Sequence, residues 1–410
     1  MNTSTVDQRA SPDTGPRHVA LFVRSLSGGG GAERVMVNLA TELNDQGHQL
    51  DLVMGRKEGH FLDEIPPNVK VIDLQVRSAR QLLPTLLLQP RLASSLIGTV
   101  LKPKAPWILG AVPGLAEYLK EQRPSALLAA LSYTNVAALL ACRVADSSAR
   151  MVISVHNHLS VSAAQGTKER DKSFPQLAQR WYPEADGIVC VSDGVAADLA
   201  RVTRLPRERI RTIFNPVFRP AILTRAQEPL AHRWFSPDAP PVLLGIGKLK
   251  PQKDFPSLLR AFARIRAERP ARLIILGEGP RRKDLQTLAR KLRIHEDVEL
   301  PGFVPNPFAY LRQARVFVLS SAWEGLSNVI IEALACGCPV VSTDCPSGPA
   351  ELLDHGNYGA LVPVGNDEAL AAAILQTLAK AHDRDRLLAR AKEFSVERAT
   401  KQYSQVLLGV

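Results

Sequence analysis

Residues 314–343 alternate between apolar runs and a short helical pattern, and this alternation restricts the fold of the chain. The run at 314–321 is typical of a strand that is buried on both faces of a parallel sheet. A turn at Glu324-Gly325 follows, and then a helical pattern that Gly337 and Pro339 terminate. A second apolar strand begins at Pro339. A strand, a helix and another strand in this order predict an α/β sheet with helices packed on its faces.

Two glutamates, Glu324 and Glu332, stand eight residues apart in this stretch. Ligands of open α/β sheets bind beyond the carboxyl ends of the strands. The free N–H groups of Gly325, Leu326 and Ser327, at the start of the predicted helix, can bind an anion there. Carboxylates repel phosphate but accept hydrogen bonds from sugar hydroxyls, so the combination suits a nucleotide sugar. The alternative is that both glutamates are solvent-exposed charges without a role in binding.

A second cluster of small residues, 347–351, follows the next predicted strand and again begins a helix. Its position predicts a second anion-binding turn at the same edge of the sheet. No residue near the two glutamates supplies a nucleophile or an environment that would raise a carboxyl pKa. We therefore interpret the glutamates as groups that hold hydroxyls rather than as an acid/base pair.

The spacing Glu324-x7-Glu332, followed by Ala-Leu-Ala-x-Gly-x-Pro-Val-Val up to residue 341, resembles the acidic signature of retaining glycosyltransferases of family 4, which have the GT-B fold. The resemblance covers nearly the whole chain. It implies an α/β protein of two Rossmann-like, doubly wound domains that face each other across a cleft. It also implies that Glu324 holds hydroxyls of the donor sugar and that Glu332 holds the ribose.

A length of 410 residues fits two domains. We expect a disordered tail at 1–16, an acceptor-binding domain at 17–217, a linker at 218–240 and a nucleotide-sugar-binding domain at 241–392. The resemblance implies that a last helix, within 393–410, returns to the first domain. The polar tail lacks the apolar segment of a signal peptide. The five irregularly spaced cysteines are consistent with a reducing cytoplasm.

The formal net charge of +11 is compatible with nucleic acid, acidic lipid or an anionic sugar nucleotide as a partner. Motifs of nucleic-acid-binding proteins are absent from the sequence, which disfavours the first. Residues 77–123 contain seven Lys/Arg and two Glu, a net charge of +5, mixed with leucine-rich runs and Trp107. This composition predicts a cytoplasmic protein that lies peripherally on the anionic inner face of a membrane. The alternative is an ordinary helical layer that covers the first sheet.

A glycine-rich turn, 27–31, joins the first predicted strand to a helix and permits a ligand to approach the backbone closely. The spacing Gly28-x-Gly30 is followed by Glu33 where a dinucleotide-binding motif has its third glycine, so NAD binding is disfavoured. The turn is similar to the glycine loop of family 4, which implies that Gly30 and Gly31 lie over the sugar and the diphosphate. A plain tight turn is the alternative.

Two histidines, His156 and His158, follow the strand predicted at 151–155. A histidine at the carboxyl end of a strand is placed to reach a substrate. The resemblance implies that a histidine after this strand contacts the donor sugar near the reacting carbon. His156 is the expected match and His158 is the alternate. A further alternative is that both are ordinary surface residues.

Lys248 and Lys253 follow the first predicted strand of the second domain, where cations can neutralise a diphosphate. Lys253 matches a lysine of family 4. Lys248 stands where the family has arginine, and it lacks the bidentate geometry of a guanidinium. The resemblance further implies that Gly277, in a Gly-x-Gly-Pro turn, and Val304 lie near the nucleobase. Two exposed lysines without a ligand are the alternative.

With these residues, the resemblance implies a retaining glycosyltransferase that uses a UDP- or GDP-linked sugar. Residues 110–160 resemble a subgroup that acts on lipid-linked or cell-envelope glycans, which implies transfer of a hexose or N-acetylhexosamine to a glycan or lipid-linked acceptor of the cell envelope. Glu324, His156 and Lys253 are the expected catalytic residues. We expect no cofactor and no metal ion, because the resemblance implies that lysines neutralise the diphosphate. The alternatives are a GT-B-shaped sugar-nucleotide epimerase or phosphorylase, and a sugar-nucleotide-binding protein without turnover.

Overall fold

The structure is a computed structural model that describes residues 17–27, 30–102, 104–166 and 168–409. The tail predicted to be disordered, 1–16, lies outside the described residues.

In the described residues, the first of two sheets contains seven parallel strands. The strand order is β3-β2-β1-β4-β5-β6-β7. The strands are β1 His18–Val23, β2 Gln49–Met54, β3 Lys70–Asp73, β4 Ala126–Ala130, β5 Arg150–Val155, β6 Gly187–Cys190 and β7 Ile210–Thr212.

The second sheet contains six parallel strands in the order β10-β9-β8-β11-β12-β13. They are β8 Val242–Ile246, β9 Arg272–Leu276, β10 Val298–Gly302, β11 Val316–Leu319, β12 Val340–Thr343 and β13 Ala360–Val362. The prediction of an α/β fold with two doubly wound domains is confirmed. The winding reverses between β1 and β4 and between β8 and β11, and doubly wound folds bind ligands in the crevice at this point.

Helices cover both faces of each sheet. In the first half of the chain they are α1 Gly31–Asp45, α2 Leu83–Leu88, α3 Pro90–Val100, α4 Val112–Gln122, α5 Ser132–Ala145, α6 Leu159–Ala164, α7 Glu169–Lys172, α8 Phe174–Trp181 and α9 Asp193–Thr203. Then follow α10 Ala221–Ala226, α11 Phe255–Glu268, α12 Arg282–Lys291, α13 Pro307–Gln313, α14 Asn328–Ala335, α15 Pro349–Leu352, α16 Asp367–Leu378, α17 Arg384–Lys392 and α18 Val396–Leu408.

The apolar composition of the strands follows from burial on both faces. In β1, Leu21 packs in one apolar cluster and Phe22 in another, and both side chains are fully buried. Leu243 and Leu244 of β8 are divided between two clusters in the same way. Because consecutive side chains point to opposite faces of a strand, both faces of these strands pack against apolar side chains.

The last helix, α18, packs against the first sheet rather than the second. Tyr403 belongs to the apolar cluster that contains Leu21 of β1. Its hydroxyl lies 3.0 Å from Ser154 Oγ in β5, and Arg150 Nε donates to the Val406 carbonyl at 2.7 Å. The end of the chain is therefore fixed to the first domain.

Residues 77–123 form α2, α3, a 3₁₀ helix at Trp107–Ala111 and α4. The 3₁₀ helix and α4 bury Leu109 and Leu115, so this part covers the first sheet. In contrast, Leu87 and Leu88 of α2 are 79% and 84% exposed, and Leu101, just after α3, is 54% exposed. Among the described helices, none combines the length and the apolar character that crossing a bilayer requires.

Candidate active site

A buried ion pair joins Lys253 and Glu324. The 3₁₀ helix Pro251–Lys253 after β8 places Lys253 Nζ 2.6 Å from Glu324 Oε1. Ser321 Oγ donates to the same carboxylate oxygen at 2.6 Å. The two side chains of the pair are only 13% and 7% exposed. The two residues predicted to be catalytic in the second domain are therefore bonded to each other, and Glu324 Oε1 already has two donors.

The first turns of α1 and α14 meet across the cleft. A Cβ atom at Gly31, the first residue of α1, would lie 2.9 Å from Nδ2 of Asn328, the first residue of α14. Asn215, just before the linker, holds this amide because its Nδ2 donates to Asn328 Oδ1 at 2.7 Å. Each helix start has backbone N–H groups without an intrahelical acceptor and carries a partial positive charge. Two such helix starts in one place are well suited to bind an anion.

Two residues that flank these helix starts were expected from the sequence. Gly30 precedes α1, and its N–H donates to Glu33 Oε2 at 2.6 Å, so Glu33 occupies part of this helix start. Ser327 precedes α14, and its buried hydroxyl has no protein partner among the described residues. A buried hydroxyl without a partner loses free energy unless a ligand completes its hydrogen bonds. Ser327 is thus available to a ligand bound at the start of α14.

Glu332 lies in α14, on the side of the cleft next to the linker. Burial removes water from its carboxyl and raises the pKa of that group to about 7. The positive charges of Arg34, Arg225 and Arg219 lower the same pKa and offset the effect of burial only partly. This finding corrects our expectation that nothing near the two glutamates raises a carboxyl pKa. Arg34 comes from α1 and forms an ion pair with Glu64. The arginines belong to other parts of the chain, which is why the sequence around Glu332 did not predict its environment.

Three lysines follow β8. Lys253 is the partner of Glu324, whereas Lys248 and Lys250 are exposed. Partial desolvation of the Lys250 ammonium group and, second to it, the positive charge of Lys253 lower the pKa of that group. Lys250 was not predicted as a site residue, although it lies in the same turn. Lys248, Lys250 and Lys253 nevertheless place three positively charged side chains within one turn at this edge of the sheet.

The glycine turn after β9 packs tightly against the turn after β8. A Cβ atom at Gly277 would lie 2.2 Å from the carbonyl oxygen of Gly247, and Gly277 has φ +128°, which favours glycine. Its N–H donates to the Gly302 carbonyl at 2.7 Å. Val304, two residues after Gly302, packs against the apolar core. Gly277 and Val304 therefore belong to one connected edge of the second sheet.

The two histidines after β5 have different environments. His156 Nε2 lies 2.9 Å from Ser154 Oγ, and burial lowers the pKa of the His156 ring to about 4. His158 Nδ1 lies 3.1 Å from Asp198 Oδ2 in α9. A Cβ atom at Gly325 would lie 1.9 Å from the His156 carbonyl oxygen. The backbone of His156 thus reaches the Glu324-Gly325 turn, while its ring contacts the interior of the first domain.

An aromatic pair that the sequence did not predict spans the cleft near Val304. Phe303 is 73% exposed. Its ring centroid lies 6.5 Å from that of His60 in the first domain, with 19° between the ring planes. Phenylalanine is usually buried, so both the exposure of Phe303 and the position of His60 opposite its ring distinguish this residue.

Comparisons with known proteins identify the family of the chain. The family model described as "Glycosyltransferase Family 4" matches residues 29–218, and the one described as "Glycosyl transferases group 1" matches residues 240–380. A Campylobacter jejuni enzyme, N-acetylgalactosamine-N,N'-diacetylbacillosaminyl-diphospho-undecaprenol 4-alpha-N-acetylgalactosaminyltransferase, is 31% identical over 286 residues, which cover 68% of this chain and 75% of that enzyme. The chain belongs to glycosyltransferase family 4. The prediction of a sugar-transferring enzyme of this family is confirmed.

This family 4 glycosyltransferase also resembles the lipopolysaccharide core biosynthesis glycosyltransferase LpsE of Rhizobium meliloti, with 32% identity over 232 residues, 55% of this chain and 65% of LpsE. Among solved structures, the outer core galactosyltransferase WaaB has a TM-score of 0.69 at 19% identity and covers 95% of this chain and 99% of WaaB. Anabaena HepE, solved with UDP and glucose, has a TM-score of 0.71 at 20% identity, with coverages of 96% and 100%. The structural neighbours establish the GT-B fold of the glycosyltransferase.

Proposed function

We propose that the enzyme transfers a hexose or N-acetylhexosamine, with retention of anomeric configuration, from a UDP- or GDP-linked sugar to a glycan or lipid-linked acceptor of the cell envelope. One observation carries the proposal: the buried Lys253–Glu324 pair lies at the crevice where the starts of α1 and α14 meet. Cations and free N–H groups suit a diphosphate, and a carboxylate beside them suits sugar hydroxyls. A nucleotide-diphosphate sugar contains both groups.

Departure of the nucleoside diphosphate is the step that this arrangement would assist. As the bond between the sugar and the diphosphate breaks, negative charge develops on the leaving phosphate oxygens. Lys253 is held in place by Glu324, and the N–H groups of Gly325 and Leu326 and the Ser327 hydroxyl lie just before α14, so these groups would stabilise that charge with little reorganisation. Removal of one such preorganised group typically costs a factor of about 100–1,000 in kcat.

The two glutamates have separate roles in the proposed complex. Glu324 Oε1 is occupied by Lys253 and Ser321, which leaves the other carboxylate oxygen to accept hydrogen bonds from the donor sugar. Glu332, about one turn into α14, would accept hydrogen bonds from the ribose. His156 would contact the sugar from the first domain, and its backbone already touches the Glu324-Gly325 turn.

The acceptor proposal draws on the named relatives. The Campylobacter jejuni relative, by its name, acts on a saccharide linked to diphospho-undecaprenol. LpsE is named for lipopolysaccharide core biosynthesis, and a Salmonella typhimurium relative for colanic acid biosynthesis. These names support a cell-envelope acceptor for this enzyme, bound by the first domain.

A membrane-bound acceptor is compatible with the surface of α2 and α3. Leu87, Leu88 and Leu101 are exposed there. Residues 74–116 contain five Lys/Arg and no Asp or Glu. Exposed leucines in a segment with a net positive charge match the headgroup region of an anionic bilayer. We propose that α2 and α3 bind the membrane and that the enzyme is peripheral on its cytoplasmic side.

Nucleotide preference is tested first. UDP, GDP and ADP are compared by thermal shift, because a ligand present at about 100 times its Kd stabilises the native state by about 2.7 kcal/mol. UDP or GDP should raise Tm, and ADP should not. If none of the three raises Tm at millimolar concentration, the proposed donor class is wrong.

The reaction is then tested with radiolabelled UDP- and GDP-sugars and a diphospho-undecaprenol-linked saccharide. Wild-type enzyme should form a glycosylated product and release nucleoside diphosphate, and the NMR coupling constant of the new linkage should show retention. Lys253→Ala and Glu324→Gln should lose transfer, while Lys283→Ala, which changes an exposed lysine of the same domain, should not. Epimerised donor, sugar 1-phosphate, or donor binding without turnover would each refute the proposal.

A further inference from the structure

The start of helix α9 in the first domain is occupied by a carboxylate from the second. Glu351, in α15, accepts two hydrogen bonds there: Oε2 from the N–H of Asp193 at 2.7 Å, and Oε1 from the N–H of Gly194 at 3.0 Å. Both N–H groups belong to the first turn of an 11-residue helix, where no intrahelical carbonyl is available. A carboxylate is favoured at this end of the helix dipole. The bond therefore joins a charged group of one domain to the positive end of a helix in the other.

Neighbouring groups keep both partners in place. The side chain of Asp193 is held by Arg207 at 2.7 Å and by Thr212 at 2.6 Å, so its own carboxylate does not compete with Glu351. On the other side, the guanidinium of Arg390 in α17 donates to the Glu351 carbonyl at 2.7 Å, which fixes the backbone that carries Glu351. Each partner of the contact is therefore fixed by groups of its own domain.

A second bond lies next to the first. Ser192, the N-cap of α9, donates through Oγ to the Gly325 carbonyl at 2.7 Å, and the same oxygen accepts the N–H of Val195. Ser192 is fully buried. Gly325 follows Glu324 directly in the chain. The start of α9 is thus bonded to the turn that carries the donor-sugar carboxylate.

Steric contact makes the fit between the domains close. A Cβ atom at Gly194 would lie 2.7 Å from Ser347 Oγ, and a Cβ atom at Gly325 would lie 1.9 Å from the His156 carbonyl oxygen. A side chain at Gly325 would clash with the backbone of His156, whereas one at Gly194 would require the Ser347 side chain to move. The turn at 347–351 also contacts the first domain, and the buried Ser347 hydroxyl has no partner among the described residues.

We propose that Glu351 and Ser192 are positioning residues that hold the two domains closed and thereby fix the Glu324-Gly325 turn for catalysis. When the cleft opens, the Glu351 carboxylate and the N–H groups of α9 are hydrated separately, and Gly325 loses the bond from Ser192. Closure excludes water and completes the site. This role goes beyond the proposed function and does not depend on the identity of the donor or the acceptor.

The first test measures domain closure without any substrate. Small-angle X-ray scattering compares wild type with Glu351→Ala, Glu351→Gln and Ser192→Ala, and thermal unfolding verifies that each variant is folded. Glu351→Ala and Ser192→Ala should have a larger radius of gyration than wild type. Glu351→Gln should be intermediate, because its amide oxygen can accept only one of the two N–H groups well. Glu368→Ala, which changes an exposed glutamate in α16, should match wild type. Scattering of Glu351→Ala identical to that of wild type overturns the inference.

The second test separates closure from donor binding. With a UDP- or GDP-sugar, Glu351→Ala should lower kcat for transfer about tenfold and raise the ratio of donor hydrolysis to transfer, while the Kd for the free nucleoside diphosphate changes less than twofold. A loss of transfer with unchanged scattering and an unchanged hydrolysis ratio overturns the positioning role. If wild type transfers no sugar but its radius of gyration still depends on Glu351, the proposed function fails and the role in closure stands.

Discussion

Replacement of Glu332 by glutamine should stabilise the unliganded enzyme, and the gain should depend on pH. The surrounding protein raises the pKa of this carboxyl from its ordinary value of 4.5 to about 7. The folded state thus binds the proton more tightly than the unfolded state, so stability is full below about pH 4.5 and falls as pH rises through 7. The difference corresponds to roughly 3 kcal/mol at high pH. Glu332 is not completely shielded from solvent, so we expect about 2 kcal/mol at pH 8.

The assay is thermal unfolding of wild type and Glu332→Gln at pH 5 and pH 8 without nucleotide. The variant should match wild type within about 1 °C at pH 5 and exceed it by about 4–8 °C at pH 8, given the usual relation between stability and Tm for a domain of this size. Glu368→Gln, an exposed glutamate of the same domain, should show no such difference. An equal advantage at both pH values would refute the reasoning, because an uncharged packing effect does not titrate. The same variant should bind the nucleotide more weakly if the carboxylate holds the ribose.

Three further predictions concern other residues. Lys253→Ala should lower kcat by about 100–1,000-fold, and Lys253→Arg should restore part of it, as steady-state kinetics will measure. The His156 ring, whose pKa is lowered to about 4, should stay neutral from pH 5 to 8, so its ring chemical shifts should not titrate near 6.5 and its stabilising effect should decline only as pH falls from 6.5 toward 4. Leu87→Ser combined with Leu88→Ser should leave Tm unchanged, because both side chains are exposed, and should reduce flotation with anionic vesicles more than tenfold.

The fold could be predicted from the sequence because its signals are local. Buried parallel strands such as β11 appear as continuous apolar runs, and a turn and a helix follow within a few residues. Ser327 and Gly337 mark the ends of α14 without reference to the rest of the chain. The start of α1 was harder to predict from the sequence. The helix begins at Gly31, inside the glycine-rich turn, and glycine can adopt helical as well as extended geometry, so its presence does not mark where the helix starts.

The candidate site was harder to predict where its properties come from distant segments. The sequence predicted Glu324 and Lys253 as site residues. It did not predict the ion pair between them, because the two residues are 71 positions apart in the chain. It supplied Glu332 but not the arginines around it, because Arg34 lies on the other domain. Neither His60 opposite Phe303 nor Glu351 at the start of α9 leaves a local pattern. Contacts between domains depend on how the two sheets face each other, and no short window of sequence records this.

The Glu324-Gly325 turn joins the chemistry of the enzyme to its domain closure. Glu324 points into the second domain, toward Lys253, while the Gly325 carbonyl accepts the bond from Ser192 of the first. Gly325 has no positive φ, so the close approach of the His156 carbonyl, rather than backbone conformation, requires glycine here. Gly277 differs, because both its φ and its packing require glycine. A movement that separates the domains must therefore release the residue next to Glu324. In the proposed closure, the bond from Ser192 to Gly325 adds to the hold that Lys253 and Ser321 already have on Glu324 within the second domain.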